Sequence, residues 1–431
     1  MSMLHWAFLA AVAVTTLGVP LYAWAVRGRA YAVFALVIVG LAVPGAVAMD
    51  ARLAAWLPDA GAVALRVVFL YGMAAAGMHL AALVRPRLRG FAFRLGASIP
   101  GMTFVAAGFL CGLWLLAMSP LRQVLASVGW TSALAALRWL DLLPLAVAVI
   151  SVPTSVRLVE EVVRVPLAAD GPPKVSRLPA ARYRGRARPP ADARTLRLVQ
   201  IADPHLGPWQ PVAKLVRTLE RLLARAPDLV LLTGDFLTME GSGTPGALAQ
   251  ALAPLRRFPE RCFAIYGNHD HGVADEVAAS LAANGVRLLV DDEALVETAL
   301  GAVQIVGADY VGRGRRAHLQ TLLARFPRRD AHLRLLLLHD PRGFRHVPIG
   351  DVDLTLSGHT HGGQLGLVSL GLPWTILTRS AWPDHGLFGH GSNRLYVHRG
   401  TGFYGFPLRI GVPGEASVLE VVRDGISPRR A

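Results

Sequence analysis

The hydrophobic pattern of the chain changes character along its length. Before about residue 158 the apolar residues form long runs, and from about Leu196 they form short runs separated by amphipathic stretches. An apolar run of about 20 residues is long enough for a helix to cross the hydrocarbon core of a bilayer. Short apolar runs that alternate with amphipathic stretches are typical of an α/β domain. The pattern therefore predicts a multi-pass α-helical membrane domain over residues 1–158 and an α/β domain over residues 196–425.

We expect about five membrane-spanning helices in the first domain. The first run is not typical of a signal peptide, because no positive segment precedes it and Arg27 and Arg29 follow it. The fifth run is short and contains Asp141, so the predicted number of spans depends on it. The five runs are Leu4–Val26, Tyr31–Met49, Ala62–Val84, Ala97–Leu121 and Trp139–Val156.

The orientation in the membrane is predicted from the short basic loops, which stay in the cytoplasm. Arg27 and Arg29 follow the first run, and four arginines follow the third. If both loops are cytoplasmic, the amino terminus lies outside and five spans place the α/β domain in the cytoplasm. The four arginines are Arg85, Arg87, Arg89 and Arg94.

Residues 159–195 are predicted to form a basic linker rich in Pro and Arg. The chain has a net charge of +15 and a pI near 10.9, which indicates an acidic partner such as nucleic acid or an anionic membrane surface. The linker is interpreted either as a cytoplasmic flank of the last span or as a patch that binds anionic lipid. No nucleic acid partner is expected, because Tyr183 is the one aromatic residue among these arginines. The basic residues at this boundary are Arg157, Arg164, Lys174, Arg177, Arg182, Arg184, Arg186 and Arg188.

Overall composition narrows the class of protein further. Hydrophobic residues make up 53% of the chain and the mean hydropathy is +0.42, which excludes a wholly soluble protein. The two cysteines, Cys111 and Cys262, are too few for a disulfide framework or a thiolate zinc site.

Polar residues with metal-binding side chains follow directly after the short apolar runs of the second domain. Binding residues in α/β sheets gather at the carboxyl ends of strands, so we expect these side chains to meet in one cleft. Carboxylate, amide and imidazole ligands without thiolates suit Mn²⁺, Fe or Zn²⁺. The seven candidate ligands are Asp203, His205, Asp235, Asn268, His339, His359 and His361.

Seven ligands are too many for one ion and predict a dinuclear site. Two ions about 3.5–4 Å apart and joined by a carboxylate are the usual arrangement for displacement at phosphorus. We expect Asp235 to bridge the ions, with Asp203, His205 and His361 on one side and Asn268, His339 and His359 on the other. A hydroxide held between the ions is then the expected nucleophile.

His269 and Asp270 are the predicted catalytic residues outside this ligand set. His269 remains uncoordinated and is expected to protonate the leaving alkoxide as a general acid, with the adjacent Asp270 orienting it. The alternative is a structural role for His269 in its loop.

The ordered series DPH, GD, GNHD, the strand-end His339 and GHTH resembles the calcineurin-like metallophosphoesterase family. The longer stretches HDPRGFRHVPIGDVDLTLSGHTHGGQ and LYVHRGTGFYGFPLRIGVPGEASVLEV are similar to its membrane-associated bacterial branch, which implies the inner membrane. The resemblance covers about Leu196–Val422. It implies a four-layer αββα sandwich, a dinuclear site and the ligand roles given above. Pro204 departs from the family pattern at a position that does not bind metal.

We therefore expect a membrane-anchored phosphoesterase that hydrolyses phosphomonoester or phosphodiester bonds. The apolar segment Leu365–Trp382 favours a lipid-linked substrate, such as a phospholipid or a nucleotide-lipid, although a buried hairpin gives the same pattern. The alternative function is a membrane sensor or transport-linked protein whose phosphoesterase-like domain binds a ligand or partner without turnover. The intact ligand set favours the enzyme.

Overall fold

A computed structural model describes residues 3–167, 170–184, 195–298 and 301–423 of the chain. The chain divides into two compact units. The helical unit comprises Met1–Ser155 and Gly405–Arg409, and the α/β unit comprises Val156–Tyr404 and Ile410–Ala431.

Among the described residues, the helical unit contains five helices that are long and apolar enough to cross a membrane, in agreement with the predicted multi-pass helical domain. The helices are α1 (Met3–Val26), α2 (Arg29–Ala54), α3 (Asp59–Ala82), α4 (Phe91–Ser127) and α5 (Thr131–Val156). α1 is interrupted by a π-helical turn at Val14–Gly18, α4 by another at Arg94–Ser98, and α5 by a 3₁₀ turn at Trp139–Leu142.

Glycines bring α2 and α4 into close contact. A Cβ atom on Gly45 of α2 would overlap the backbone of Gly108 and Gly112 of α4, and one on Gly108 would overlap the carbonyl of Ala42. Small residues that let helix backbones approach are a common basis of helix packing in membranes. The pattern of glycines thus fixes the contact between these two spans.

Buried ion pairs explain how the helical unit accommodates charge within its predicted spans. Asp141, fully buried in α5, accepts hydrogen bonds from Arg52 Nε at 2.6 Å and from Trp114 Nε1 at 2.9 Å, and it also pairs with Arg122. Carboxylates within spans are rare and usually pair in this way. Asp141 is therefore compatible with the fifth span.

The short segment Gly405–Arg409 packs inside the helical unit. The ring of Phe406 lies 6.0 Å from that of Phe109, and the backbone N–H of Arg409 donates to Ser155 Oγ at 2.8 Å. Thr154 Oγ1 donates to the carbonyl of Arg409 at 2.6 Å. The segment is thus fixed by both apolar and polar contacts.

The α/β unit is built on two sheets, each with seven strands in the part of the chain that the structure describes. The strands are β1 (Leu158–Leu167), β2 (Ser176–Arg177), β3 (Arg182–Arg184), β4 (Thr195–Ile201), β5 (Leu229–Leu232), β6 (Cys262–Ala264), β7 (Arg287–Leu288), β8 (Asp292–Thr298), β9 (Gly301–Ala308), β10 (Leu333–Leu338), β11 (Leu354–Ser357), β12 (Gly386–His390), β13 (Asn393–Val397) and β14 (Gly414–Arg423). The strand orders are β3-β1-β14-β4-β5-β6-β7 and β2-β12-β13-β11-β10-β9-β8.

The two sheets face each other across the main hydrophobic core. Leu198 and Leu231 of the first sheet belong to the same buried cluster as Ile305 and Leu335 of the second. Helices cover the outer faces, as where Leu319 packs on the second sheet. This arrangement confirms the four-layer αββα sandwich. The helices are α6 (Val212–Leu223), α7 (Met239–Ser242), α8 (Ala247–Leu252), α9 (Ala274–Ala282) and α10 (Arg315–Arg325).

The segment expected to be a linker, residues 159–195, contains strands of both sheets. β1 pairs in parallel with β14 along its whole length, from Leu158 opposite Gly414 to Leu167 opposite Arg423. The segment forms a strand instead of a linker because the apolar residues of β1 pack in a sheet beside β14, from the far end of the chain. Arg177 and Arg182, predicted to be part of a basic flank, form ion pairs with Asp384 and Glu161. Arg186 and Arg188 lie outside the described residues.

Candidate metal centre

The seven predicted ligands come from the carboxyl ends of five strands in the two sheets. β4 leads to Asp203 and His205, β5 to Asp235, β6 to Asn268, β10 to His339, and β11 to His359 and His361. The structure brings these side chains together at one edge of the sandwich, as the sequence predicts.

Five of these ligands have a left-handed backbone conformation, which is unfavourable for residues other than glycine. Such conformations cluster at functional sites, where the surrounding structure holds them in place. The turns after the strands thereby aim the side chains into a shared cleft. The φ values are 49° for Asp203, 43° for His205, 60° for Asp235, 71° for His359 and 50° for His361.

The first group that could hold a metal ion consists of Asp203, His205 and His361. His205 Nε2 lies 3.3 Å from His361 Nε2, which in turn lies 3.6 Å from Asp203 Oδ1. Ligand atoms that share one ion at bond lengths of about 2.1 Å lie roughly 3.0–3.5 Å apart. The three side chains are therefore placed closely enough to bind one ion.

The second group consists of Asp235, His339 and His359. His339 Nε2 lies 3.3 Å from Asp235 Oδ2, 3.2 Å from His359 Nδ1 and 3.2 Å from Asn268 Oδ1. The other ring nitrogen of His339, Nδ1, donates to the carbonyl of Thr233 at 2.6 Å. That hydrogen bond leaves Nε2 unprotonated in the neutral ring and available to a metal.

Asp235 lies between the two groups. Its Oδ2 atom is 3.3 Å from His339 Nε2 in the second group and 3.8 Å from His205 Nε2 in the first. This position fits the bridging role expected from the sequence. The donor set as a whole fits two divalent ions.

The electrostatics of the centre favour a carboxylate at its middle. Burial raises the pKa of Asp235, but the neighbouring His339 and His205 outweigh this and hold it well below its usual range. Burial lowers the pKa of His339, yet the contact with Asp235 raises it to about 10. Burial and the adjacent His339 lower the pKa of His359 to about 4. Asp235 therefore stays ionised, as a metal ligand must.

His269 belongs to neither group and is exposed in the cleft. Its backbone N–H donates to Asp235 Oδ1 at 2.9 Å, which fixes its position beside the centre. Its ring stacks on that of Tyr404, with centroids 4.9 Å apart and planes inclined by 25°. The geometry leaves the imidazole accessible to a ligand.

Asp270 differs from the expectation that it orients His269. Its buried carboxylate accepts backbone N–H groups of Asp235 at 2.7 Å, of Phe236 at 2.8 Å and of Gly267 at 2.8 Å. Aspartate side chains in loops commonly accept hydrogen bonds from nearby backbone N–H groups. Asp270 therefore ties together the loops that carry Asp235 and Asn268.

Residues not predicted from the sequence also surround the centre. The indole of Trp382 stacks on His359, with centroids 5.2 Å apart and planes inclined by 8°. The guanidinium of Arg342 lies 3.7 Å from the centroid of the same indole, while its Nη2 donates to Asp340 Oδ2 at 2.6 Å. The position of Arg342, three residues after His339, is the one sequence signal for this stack. No periodicity connects Trp382 or Tyr404 to the metal ligands.

The apolar segment Leu365–Trp382 begins just after His361 and ends at the residue that stacks on His359. A β-bridge joins Gly366 to Thr375, and Thr375 is buried. Several large apolar side chains of the segment are nevertheless exposed, with Leu370 at 75% and Ile376 at 60%. The segment is a folded loop with an apolar outer surface. Leu377 is half-buried and packs near Gly363.

The chain is similar in sequence to known proteins. Residues 196–363 match the model of the family described as calcineurin-like phosphoesterase. The chain is 28% identical to Phosphodiesterase YaeI of Escherichia coli (strain K12), over 54% of this chain and 84% of that protein. It is 31% identical to the uncharacterized metallophosphoesterase YkuE of Bacillus subtilis (strain 168), over 52% of this chain and 78% of that protein. It is also 30% identical to a transmembrane protein with metallophosphoesterase domain of Danio rerio, over 51% of this chain and 52% of that protein.

Proposed function

Because this chain belongs to the calcineurin-like phosphoesterase family, we propose that it is a membrane-anchored, metal-dependent hydrolase of phosphomonoesters or phosphodiesters. One observation carries the proposal. Asp235 Oδ2 lies between two groups of metal-binding side chains, and the exposed His269 is fixed beside it. This constellation suits displacement at phosphorus.

Each side chain has a role in this proposal. Asp203, His205 and His361 would hold one ion, Asn268, His339 and His359 would hold the other, and Asp235 would contribute to both. Two bound divalent ions, Mn, Fe or Zn, supply Lewis acidity toward a phosphoryl oxygen and an activated water. Thr233, through its carbonyl, keeps the proton of His339 on Nδ1.

His269 provides the proton for the leaving oxygen. Departure of an alkoxide from phosphorus requires protonation when the leaving group is poor. The exposed ring can reach a substrate that lies against the centre, and the stack with Tyr404 holds the ring in one orientation.

The experiment is an assay of the full chain in detergent with Mn²⁺, Fe²⁺ or Zn²⁺. p-Nitrophenyl phosphate reports monoesterase activity and bis(p-nitrophenyl) phosphate reports diesterase activity. We expect turnover of at least one substrate that is lost on chelation and lost in the His339→Ala variant. A wild-type chain that binds two ions yet hydrolyses neither substrate nor a phospholipid would contradict the proposal and favour a sensor.

The apolar outer surface of Leu365–Trp382 supports a substrate with an apolar tail. Large exposed apolar patches are typical of surfaces that contact lipid or another protein. In this chain the patch is part of a loop whose two ends adjoin the metal ligands His361 and His359. A phosphoester at the centre would thus have an apolar surface beside it for its tail. The chain also carries its own candidate spans, so lipid phosphoesters are a nearby class of substrate.

Charged substitutions in the loop Leu365–Trp382 test whether the substrate has an apolar tail that contacts it. Leu370→Asp and Trp374→Asp remove apolar surface at exposed positions and are expected to depress hydrolysis of a lipid phosphoester about tenfold while sparing p-nitrophenyl substrates. Val290→Asp, at an exposed apolar residue elsewhere in the α/β unit, is the matched control and should spare both. An equal loss on lipid and soluble substrates would assign the loop a structural role instead.

A further inference from the structure

A cavity of about 490 Å³ lies in the α/β unit. Its volume falls within the range of roughly 300–1,000 Å³ that is usual for small-molecule sites. None of the seven metal ligands lines it. It adjoins the metal centre through Gly362, because a Cβ there would meet Arg399 Cγ at 3.3 Å and His385 Cβ at 3.6 Å, and both residues line the cavity.

Three arginine residues contribute to the lining of the cavity. Arg177, Arg182 and Arg399 line it, and no carboxylate is among its lining residues in the described part of the chain. Arg177 and Arg182 pair with Asp384 and Glu161, which offset their charge. The two carboxylate side chains are only 2% and 0% exposed, however, whereas the two arginine side chains are 25% and 24% exposed. The surface that a ligand would meet is therefore cationic.

A glycine keeps this cationic surface open. Gly386 lines the cavity with a φ of 84°, and a Cβ there would lie 3.0 Å from Arg182 Nη2 and 3.4 Å from Arg177 Nη1. Any side chain would fill the space in front of both guanidinium groups. Arginine binds phosphate well because its planar N–H groups match the phosphate oxygens.

Apolar side chains also line the cavity. Val368, Leu372 and Pro373 reach it from the loop Leu365–Trp382, and Leu178 and Leu387 belong to the same lining. The cavity thus combines cationic and apolar lining residues. An amphiphilic anion is the class of ligand that satisfies both.

We propose that this cavity binds a phosphate monoester that carries an apolar chain, at a site separate from the metal centre. The phosphate pairs with Arg177 and Arg182, and the chain lies against Leu372 and its apolar neighbours. The same chemistry occurs in a soluble alkyl phosphate and in the headgroup region of an anionic phospholipid. Binding of phosphate here needs no metal ion, so it can be measured independently of the proposed hydrolysis.

The test is isothermal titration calorimetry of the full chain in phosphatidylcholine nanodiscs with EDTA present. Hexyl phosphate, inorganic phosphate and hexanol are the probes, because they separate the contribution of the anion from that of the chain. We expect hexyl phosphate to bind at least tenfold more tightly than either of the others. Arg182→Gln and Leu372→Asp should each weaken its binding at least tenfold.

Leu295→Asp is the matched control. Leu295 is a leucine of the α/β unit that is 48% exposed, against 52% for Leu372, but it does not line the cavity. Its variant should bind hexyl phosphate within twofold of wild type, and thermal unfolding of all three variants checks that each is folded. Binding of hexyl phosphate no tighter than that of inorganic phosphate, or unchanged binding in a folded Leu372→Asp variant, would overturn the proposal.

A further titration in nanodiscs that contain phosphatidic acid identifies the source of the ligand. If the bilayer supplies it, the anionic lipid competes and weakens hexyl phosphate binding. If a soluble phosphate supplies it, binding is unchanged. Both results require the tight binding of hexyl phosphate in neutral nanodiscs.

Discussion

The imidazole of His269 lies beside the candidate metal centre, where we propose that it protonates the leaving group. Its backbone donates to Asp235, while its ring is exposed and belongs to neither group of metal ligands. We predict that His269→Ala leaves the metal content unchanged and lowers the rate about 10²–10⁴-fold. The loss should be largest for substrates with poor leaving groups, as measured over a series of aryl and alkyl phosphoesters. An equal loss across that series would rule out general-acid catalysis by His269.

Trp382 is positioned to orient His359 in the candidate metal centre. The indole stacks on the imidazole, and the guanidinium of Arg342 lies over the indole. Residues that orient a ligand often alter metal affinity about 10–100-fold when they are replaced. We predict that Trp382→Leu weakens binding of one of the two ions about tenfold in competition with a chelator. Trp374→Leu, at an exposed tryptophan of the same loop, should leave both affinities unchanged, and a similar loss there would point to the loop as a whole.

The sequence predicts that the candidate metal ligands lie close together, because each follows an apolar run that ends at the same edge of a sheet. It predicts a different role for Asp270, because a carboxylate beside a histidine suggests an orienting partner. Which N–H groups reach Asp270 depends on how the loops of β5 and β6 come together. The ring contacts of Trp382 and Tyr404 likewise depend on chain segments that are distant in sequence from the ligands they touch.

At the level of elements, the α/β unit begins earlier in the chain than the hydrophobic pattern predicts. The pattern does not predict β1, because its charged residues, Glu160, Glu161 and Arg164, resemble a polar flank of a membrane span. Its place in the sheet depends on β14, which lies more than two hundred residues later and could not be inferred from local pattern. Glu161 is buried and pairs with Arg182 and Arg399, so its charge is accommodated inside the unit.

The packing of α2 on α4 depends on glycines that a pattern of hydrophobic residues does not reveal. Gly108 would place a Cβ atom against the carbonyl of Ala42. We predict that Gly108→Val destabilises the full chain in detergent by about 1–3 kcal/mol, because the two helices cannot remain in close contact. Gly40→Val is the control, since a Cβ at Gly40 meets nothing within 4 Å. Equal shifts in the thermal unfolding of the two variants would contradict this account of the helix contact.

At the level of the whole molecule, the last span leads directly into the α/β unit. α5 ends at Val156 and β1 begins at Leu158, so the side of the membrane on which α5 ends determines the location of the metal centre. Five spans and the arginines after α1 and α3 predict that this side is the cytoplasm. Green fluorescent protein fused to the carboxyl end of the full chain should fluoresce, and alkaline phosphatase fused there should be inactive. The reverse pair of results would place the centre on the exported side.

In the proposed hydrolytic centre, Asp235 joins two metal ions. The most direct measurement is the metal-to-protein ratio of the full chain by inductively coupled plasma mass spectrometry, made beside the turnover of the best chromogenic phosphoester. We predict two ions per wild-type chain, and in Asp235→Asn fewer than two ions and no measurable turnover, because the amide cannot neutralise charge between the ions. Asp309→Asn, at an aspartate near the centre that pairs with His271, should retain two ions. An Asp235→Asn variant that keeps two tightly bound ions and a normal rate would contradict the account.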